Sequence, residues 1–366
     1  QTPNPKPQTP NPKPQTPSSR RLVGLNNLIE RISTLQYMDH SGRLTAVEHL
    51  HLKTPLLWSP PLSEKTGHEV WLKLENAQNA GSYKIRGLGR FCENAVKNGC
   101  KHFISSSGGN AGLAAAYAAK KLGVDCTVVV PETTAPFMIE KIKKVAKAVE
   151  IVGKAWDDAN NRAIEIAKGE GCVLIHPFDH PDIWAGHSTI VDEIVRQLHG
   201  KKPHLFVLSV GGGGLLSGVL QGLHRHHLAD VPVLTMETEG AKSFKICVDS
   251  GQHLALDKID TIAVTLGAKK VCKRAFDWIA EHKHIVAQTC TDKQACEAAI
   301  NFANDHRFLV SPSCGAALSP LYTGIVQNLQ KEGKLPQGRL NIITIVCGGS
   351  EVTLKAMDDW KVRFGI

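Results

Sequence analysis

From Thr45 onward, short runs rich in Val, Ile and Leu alternate with amphipathic stretches of helical period. VWLKLE (70–75), HFISSS (102–107), CTVVVPE (126–132), VEIVG (149–153) and CVLIHPF (172–178) predict strands. Between them, SYKIRGLGRFCENAVKNG (82–99), NAGLAAAYAAKKLG (110–123), PFMIEKIKKVA (136–146) and DDANNRAIEIAKGEG (157–171) predict helices. Further on, HLFVLSV (204–210), VPVLTME (231–237), HIVAQTC (284–290) and NIITIVC (341–347) predict strands separated by helical stretches. Near-continuous apolar strands alternating with helices imply parallel sheets covered on both faces. The fold class expected is α/β, with mostly parallel twisted sheets flanked by helices in two domains. One sheet is placed near 100–178 and another near 204–349.

The N-terminal stretch breaks this pattern. Residues 1–17 read QTPNPKP, QTPNPKP, QTP, a proline-rich tandem repeat without apolar residues, and predict a polyproline-like or disordered tail. Leu25 to Leu35 predicts a short helix of its own. The prolines oppose the amphipathic helix of an organelle transit peptide, and no secretory apolar core is visible.

Composition narrows the class. The net charge of +9 is spread along the chain, and its densest runs fall on predicted helices. No interleaving of basic and aromatic residues points to nucleic acid. Ten cysteines without a C-x-x-C pair argue against a zinc site and a secreted disulfide framework, and for a reducing compartment. The uncharged run Leu205 to Leu223 is long enough to resemble a membrane span. Its four glycines make it a strand, loop and helix instead.

Those glycines, Gly211 to Gly214 in SVGGGGLLSG, join a buried strand directly to a helix. Successive bare N–H groups at a helix N-terminus form an anion-binding concavity. A phosphate held by backbone is the reading; a dinucleotide site, with Glu237 as its acidic partner, stays open because Gly211 and Gly213 match part of that fingerprint. Close packing alone is the weaker reading. In NAGSYKIRG, Lys84 follows Gly81 and Ser82 at a strand-to-helix junction, where a desolvated amine becomes usable chemically. SSSGGNAG (105–112) joins another strand to a helix with hydroxyls and amides suited to a carboxylate. VCGGS (346–350) puts Cys347 at the tip of a parallel strand, where ligands bind in open α/β sheets. HRHH (224–227) reads as a solvated helix end rather than a zinc site.

With these segments in order, the chain resembles the serine dehydratase/threonine deaminase group of fold type II pyridoxal-phosphate enzymes, from about Leu50 to Ile366. SYKIRG, SSSGGNAG, GGGGLLSG, METEGAKSF and VCGGS carry the resemblance. It implies a tryptophan synthase β-like fold, with a tail at 1–20, a large cofactor-binding domain from 45–80 with 180–366, and a small domain at 81–179. It implies that Lys84 holds pyridoxal 5'-phosphate as an imine and takes the Cα proton. Gly211, Gly212, Gly213, Gly214 and the Leu215 amide hold the cofactor phosphate; Tyr83 stacks on the ring, Asn110 bonds its hydroxyl and Cys347 faces its nitrogen. Ser106, Ser107, Gly108 and Asn110 receive the substrate carboxylate. Glu237, Ala241, Ser243, Leu266 and Ala268 match a monovalent-cation site, usually potassium. The activity implied is dehydration and deamination of L-serine and L-threonine, with a small-molecule amino acid as partner, neither nucleic acid nor membrane, a homodimer, and a cytoplasmic location.

Four departures bear on this. Tyr83 stands where such dehydratases commonly place Phe, and Ser311 where Glu is often found. Gly108 stands where liver-type enzymes have Ala, so a roomier, floppier carboxylate loop is expected. The tail has no counterpart. Serine racemase is the nearest rival; its family places a serine at position 108 as the second acid/base, and glycine moves no proton. A cysteine synthase usually puts Ser at position 347. A non-catalytic protein binding pyridoxal phosphate or an amino acid is the rival from another class. Little sequence follows VCGGS, so feedback control through a C-terminal regulatory domain is not expected.

Overall fold

The computed structural model describes residues 49–366 and the strands β1 (Leu35–Met38) and β2 (Leu44–Val47). These two strands pair antiparallel, Leu35 opposite Val47. The repeat tail at 1–20 and residues 25–34 of the expected helix lie outside the described residues; Leu35 opens a strand instead.

Residues His49–Ile366 form one compact unit. In chain order it contains β3 (Leu56–Trp58), α1 (Pro60–Thr66), β4 (Glu69–Leu74), α2 (Lys84–Lys97), β5 (His102–Ser105), α3 (Asn110–Leu122) and β6 (Asp125–Val130). Next come α4 (Pro136–Lys143), β7 (Ala148–Ile151), α5 (Trp156–Ile166), β8 (Cys172–Leu174) and α6 (Pro181–Gln197). The rest comprises β9 (Leu205–Ser209), α7 (Gly214–Arg225), β10 (Val233–Thr238), α8 (Ser243–Ser250), α9 (Lys273–Glu281), β11 (Ile285–Cys290), α10 (Asp292–His306), α11 (Pro312–Thr323), α12 (Ile325–Lys331), β12 (Asn341–Val346) and α13 (Leu354–Phe364).

Two sheets organise these elements. The larger has the order β11-β10-β9-β12-β4-β3 and the smaller β7-β6-β5-β8. Every neighbouring pair is parallel except β3 with β4. The strand pattern read from the sequence thus recurs, with the antiparallel edge strand β3 added. The apolar runs of β9 and β12 are buried along their length. α11 is buried from Pro312 to Leu321, as an all-round apolar helix must be. The run Leu205–Leu223 is β9, the glycines and most of α7. No helix among the described residues is long and apolar enough to cross a membrane.

The topology positions a site. β4, β9 and β12 run parallel, so their carboxyl ends, with the loops that follow, share one edge of the sheet. In open α/β sheets that edge is where ligands bind. Lys84, Gly211 to Gly214 and Cys347 all follow those three ends.

Candidate active site

The segment before Lys84 is fixed by the loop after β12. Tyr83 N–H donates to the Cys347 carbonyl at 3.1 Å, and Gly349 N–H donates to the Gly81 carbonyl at 3.3 Å. Gly81, at φ +73°, and Gly348, at φ +124°, lie in the left-handed region where glycine is at ease. α2 then begins at Lys84. Two residues on, Arg86 is fully buried and bonded through Nε to Glu75 at 2.7 Å and through Nη1 to Glu193 at 2.7 Å. Lys73 Nζ meets Glu193 at 2.5 Å. Two cations and two carboxylates from β4, the turn that follows it, α2 and α6 therefore anchor the first turn that carries Lys84.

Lys84 Nζ donates to the Pro177 carbonyl at 2.7 Å. Burial lowers its ammonium from the ordinary value to about 8, against the opposing pull of the Cys347 and Cys272 thiols. Tyr83 is raised by burial, and its ring meets the edge of buried His187 with centroids 4.9 Å apart.

The glycine loop meets this lysine through Phe178. A β-carbon at Gly212 would lie 2.4 Å from the Phe178 ring, and one at Gly214 2.7 Å from its carbonyl. One at Gly213 would lie 2.4 Å from Ala275, and one at Gly211 3.1 Å from Leu266. Close packing thus demands glycine at 212, 213 and 214 and is tight at 211, a stronger demand than the sequence suggested. The N–H groups of Gly211 to Leu215 find no backbone acceptor among the described residues. A cradle of free amides at the start of α7, closed to any β-carbon, fits a phosphate.

Cys347 follows β12 directly, is buried, and lies 3.5 Å from the Ser209 hydroxyl. A hydrogen bond from Cys314 lowers its thiol, while burial drives Cys314 well up. A buried thiol between the ends of β9 and β12 suits a ring nitrogen.

Between β5 and α3, Ser106 Oγ donates to Asn160 Oδ1 at 2.8 Å, and Ser107 Oγ accepts from Gly109 N–H at 3.3 Å. The Asn110 amide accepts from Ser350 N–H at 3.2 Å and donates to Glu351 at 2.9 Å. A β-carbon at Gly108 would lie 2.6 Å from Thr134 Cγ2 and 2.7 Å from its Oγ1. The expected roominess at this position is therefore corrected: the Thr134 side chain fills the space. Ser311 caps α11 and bonds the Gly348 carbonyl.

The expected cation residues lie behind the glycines. Glu237 is buried, and its two oxygens accept from Phe244 N–H at 2.8 Å and Lys245 N–H at 2.7 Å. Each oxygen keeps a free lone pair. Burial raises its carboxyl to about 8. Ser243 Oγ is buried with no partner among the described residues, and Ala241 lies in the turn just before α8. The Leu266 carbonyl accepts from Ala268 N–H at 2.7 Å, and Leu266 backs onto Gly211. A buried carboxyl bonded to the first turn of α8, with a buried hydroxyl unpartnered among the described residues where that turn begins, fits a cation. His224 is no part of the site; it lies 3.2 Å from His282 Nδ1.

Sequence reasoning missed Glu75, Lys73, Glu193, Phe178, Thr134 and Glu351. One signal was present: a lysine within the otherwise apolar core of β4.

The cradle of free amides, the desolvated lysine and the strand-tip thiol fit one class, a pyridoxal-phosphate enzyme, and comparison with known proteins agrees. The family model described as "Pyridoxal-phosphate dependent enzyme" matches residues 47–348, and the chain belongs to that family. Human L-serine dehydratase/L-threonine deaminase is 45% identical over 320 residues, 87% of this chain and 97% of that protein. Mouse serine dehydratase-like is 43% identical over 318 residues, 87% and 96%. The crystal structure of a fungal L-serine ammonia-lyase from Rhizomucor miehei superposes with a TM-score of 0.82 at 35% identity, covering 87% of this chain and 100% of that one. Within the family the chain falls in the fold type II serine dehydratase/threonine deaminase group, and it is an ammonia-lyase.

Proposed function

We propose that the chain converts L-serine to pyruvate and ammonia, and L-threonine to 2-oxobutanoate and ammonia, by β-elimination. The observation that carries this reading is Lys84: a half-buried amine whose desolvation lowers it to about 8, on the chain that follows β4 and bonded to the loop that follows β12. Its neutral form is populated near neutral pH, which a general base requires.

Pyridoxal phosphate, when bound, supplies the electron sink for negative charge at Cα. In this reading Lys84 tethers it, the amides of Gly211 to Gly214 and Leu215 take its phosphate, and Tyr83 covers its ring. Asn110 serves the ring hydroxyl and Cys347 the ring nitrogen. Ser106, Ser107, Gly108 and Asn110 take the substrate carboxylate. The Ser106 hydroxyl already donates to Asn160, which holds this loop to α5. Lys84 Nζ accepts the Cα proton. The β-hydroxyl leaves with a proton as water, and the enamine so formed regains water as it releases ammonia, so the net change is deamination. Cys347 is a weak proton donor compared with a carboxylic acid. It limits charge drawn onto the ring, which suits elimination over slower side reactions.

Potassium is proposed at Glu237, Ala241, Ser243, Leu266 and Ala268, supported by a Ser243 hydroxyl unpartnered among the described residues. We further propose that the two sheets head two domains, 45–80 with 180–366 and 81–179. A cytoplasmic location is supported by ten free cysteines, all buried except the half-buried Cys172, as a reducing compartment allows; a role in amino-acid catabolism and gluconeogenesis rests on the resemblance. A homodimer rests on the resemblance, and sedimentation tests it.

The test is keto-acid release from each amino acid, with D-serine and sulfide-dependent cysteine formation measured alongside. Pyruvate from serine, abolished in Lys84→Ala, is expected. Borohydride reduction should place the cofactor on Lys84 by mass spectrometry. No keto acid from cofactor-loaded protein, or an adduct elsewhere, overturns the reading.

A further inference from the structure

Glu351 has no role in the chemistry above, yet its carboxylate reaches into the site. It follows Ser350 in the loop after β12, and that loop is tied on several sides. Ser350 Oγ donates to the Ala80 carbonyl at 3.0 Å, and Lys141 Nζ of α4 donates to the Ser350 carbonyl at 2.6 Å. Gly349 N–H bonds Gly81, and Ser311 N–H bonds the Gly348 carbonyl, each at 3.3 Å. A side chain leaving such a loop starts from a fixed point.

Its partner is the Asn110 amide. Asn110 Oδ1 accepts from Ser350 N–H and Nδ2 donates to Glu351 Oε2 at 2.9 Å. Rotating that amide by half a turn would set NH2 against the Ser350 N–H and its oxygen against the carboxylate. Both contacts would be repulsive, so one orientation survives. An amide has two N–H donors; one is spent on Glu351 and a single N–H remains to offer a ligand.

We infer that Glu351 is a positioning residue: it locks the Asn110 amide so that its remaining N–H is presented to the cofactor. This rests on the reading of Asn110 as a cofactor ligand. Burial raises the Glu351 carboxyl, while Asn110, Ser311 and Lys141 draw it back. Lys141 is the charged group that faces it; Asn110 and Ser311 are neutral.

The experiment is titration of cofactor-stripped full-length protein with pyridoxal phosphate, followed by tryptophan fluorescence, so the readout is affinity and not turnover. Removing a charge-assisted hydrogen bond should weaken binding about tenfold or more in Glu351→Ala. Glu351→Gln keeps an acceptor and should stay within about threefold of wild type. In an Asn110→Ala background, Glu351→Ala should change nothing further, since groups acting through one another are not additive. If Glu351→Ala melts below the assay temperature, Glu351→Met takes its place in the cycle. Wild-type affinity in Glu351→Ala, or losses at 110 and 351 that multiply, overturns the inference. Serine left unchanged by protein that binds cofactor overturns the proposed function alone, because the coupling is read from binding.

Discussion

The buried carboxyl of Glu237 makes a quantitative prediction about cation and pH. Its folded-state value is about 8, against an ordinary 4.5, and its side chain is almost fully buried. Between those two values the folded chain holds a proton that the unfolded chain has released. Stability therefore falls as pH rises through this window, and the loss is complete above the folded value. By linkage this one group costs about 2 kcal/mol between about pH 6 and pH 8. For a chain of this size that is roughly 3 °C in Tm. A potassium ion at the proposed site would offset the cost of ionising it. Thermal unfolding should thus be measured at both pH values in potassium and in an equal concentration of tetramethylammonium. The gain from potassium should be small near pH 6 and grow by a few degrees near pH 8. Other groups titrate as well, so the slope must be compared with Glu237→Gln, which should lose both the pH-dependent part and the potassium response. An equal potassium gain at the two pH values, or a response that survives in Glu237→Gln, would refute the reasoning.

Three further outcomes follow from the site. The rate at which stripped protein recaptures pyridoxal phosphate should rise about tenfold per pH unit and level off above about pH 8, tracking neutral Lys84; stopped-flow absorbance reads this. Gly212→Ala should weaken cofactor binding about tenfold or more, because its β-carbon meets the Phe178 ring at 2.4 Å and must displace the segment that holds Lys84. Glu193→Ala should destabilise by about 3–5 kcal/mol in denaturant titrations, since it strips a partner from buried Lys73 and Arg86 together.

How much of this could be read from the chain depends on how far apart the partners lie. Strands and helices were legible because each is a local period. β3 was not: three residues beside Pro55 carry too little pattern, and antiparallel pairing with β4 is a tertiary choice. The glycines were legible as a cradle but misweighted. The bodies they press against, Phe178, Ala275 and Leu266, come from distant turns and helices, so sequence showed the free amides without the packing. Gly108 failed for the same reason. A missing side chain suggests space only until the neighbour is known, and Thr134 is that neighbour.

The charged residues show a sharper limit. Arg86 was visible as a neighbour of Lys84, but its charge finds both partners far away, Glu75 before the turn and Glu193 on α6. A lysine at 73 inside an apolar parallel strand violates the rule that such strands are apolar on both faces. A buried ammonium without a partner would be untenable, so that violation alone implied a buried carboxylate somewhere in the fold. The chain could announce the need without naming Glu193. The same logic separates Lys73 from Lys84. Both are lowered by burial, but Lys73 has Glu193 at 2.5 Å, which holds it charged and inert. Among the described residues, Lys84 has only a neutral carbonyl as a hydrogen-bond partner. A carbonyl accepts from the ammonium without supplying a counter-charge, so nothing in the contact opposes loss of the Lys84 proton, whereas Glu193 opposes it at Lys73. In the proposed chemistry, that difference in partner is what separates a structural lysine from a reactive one.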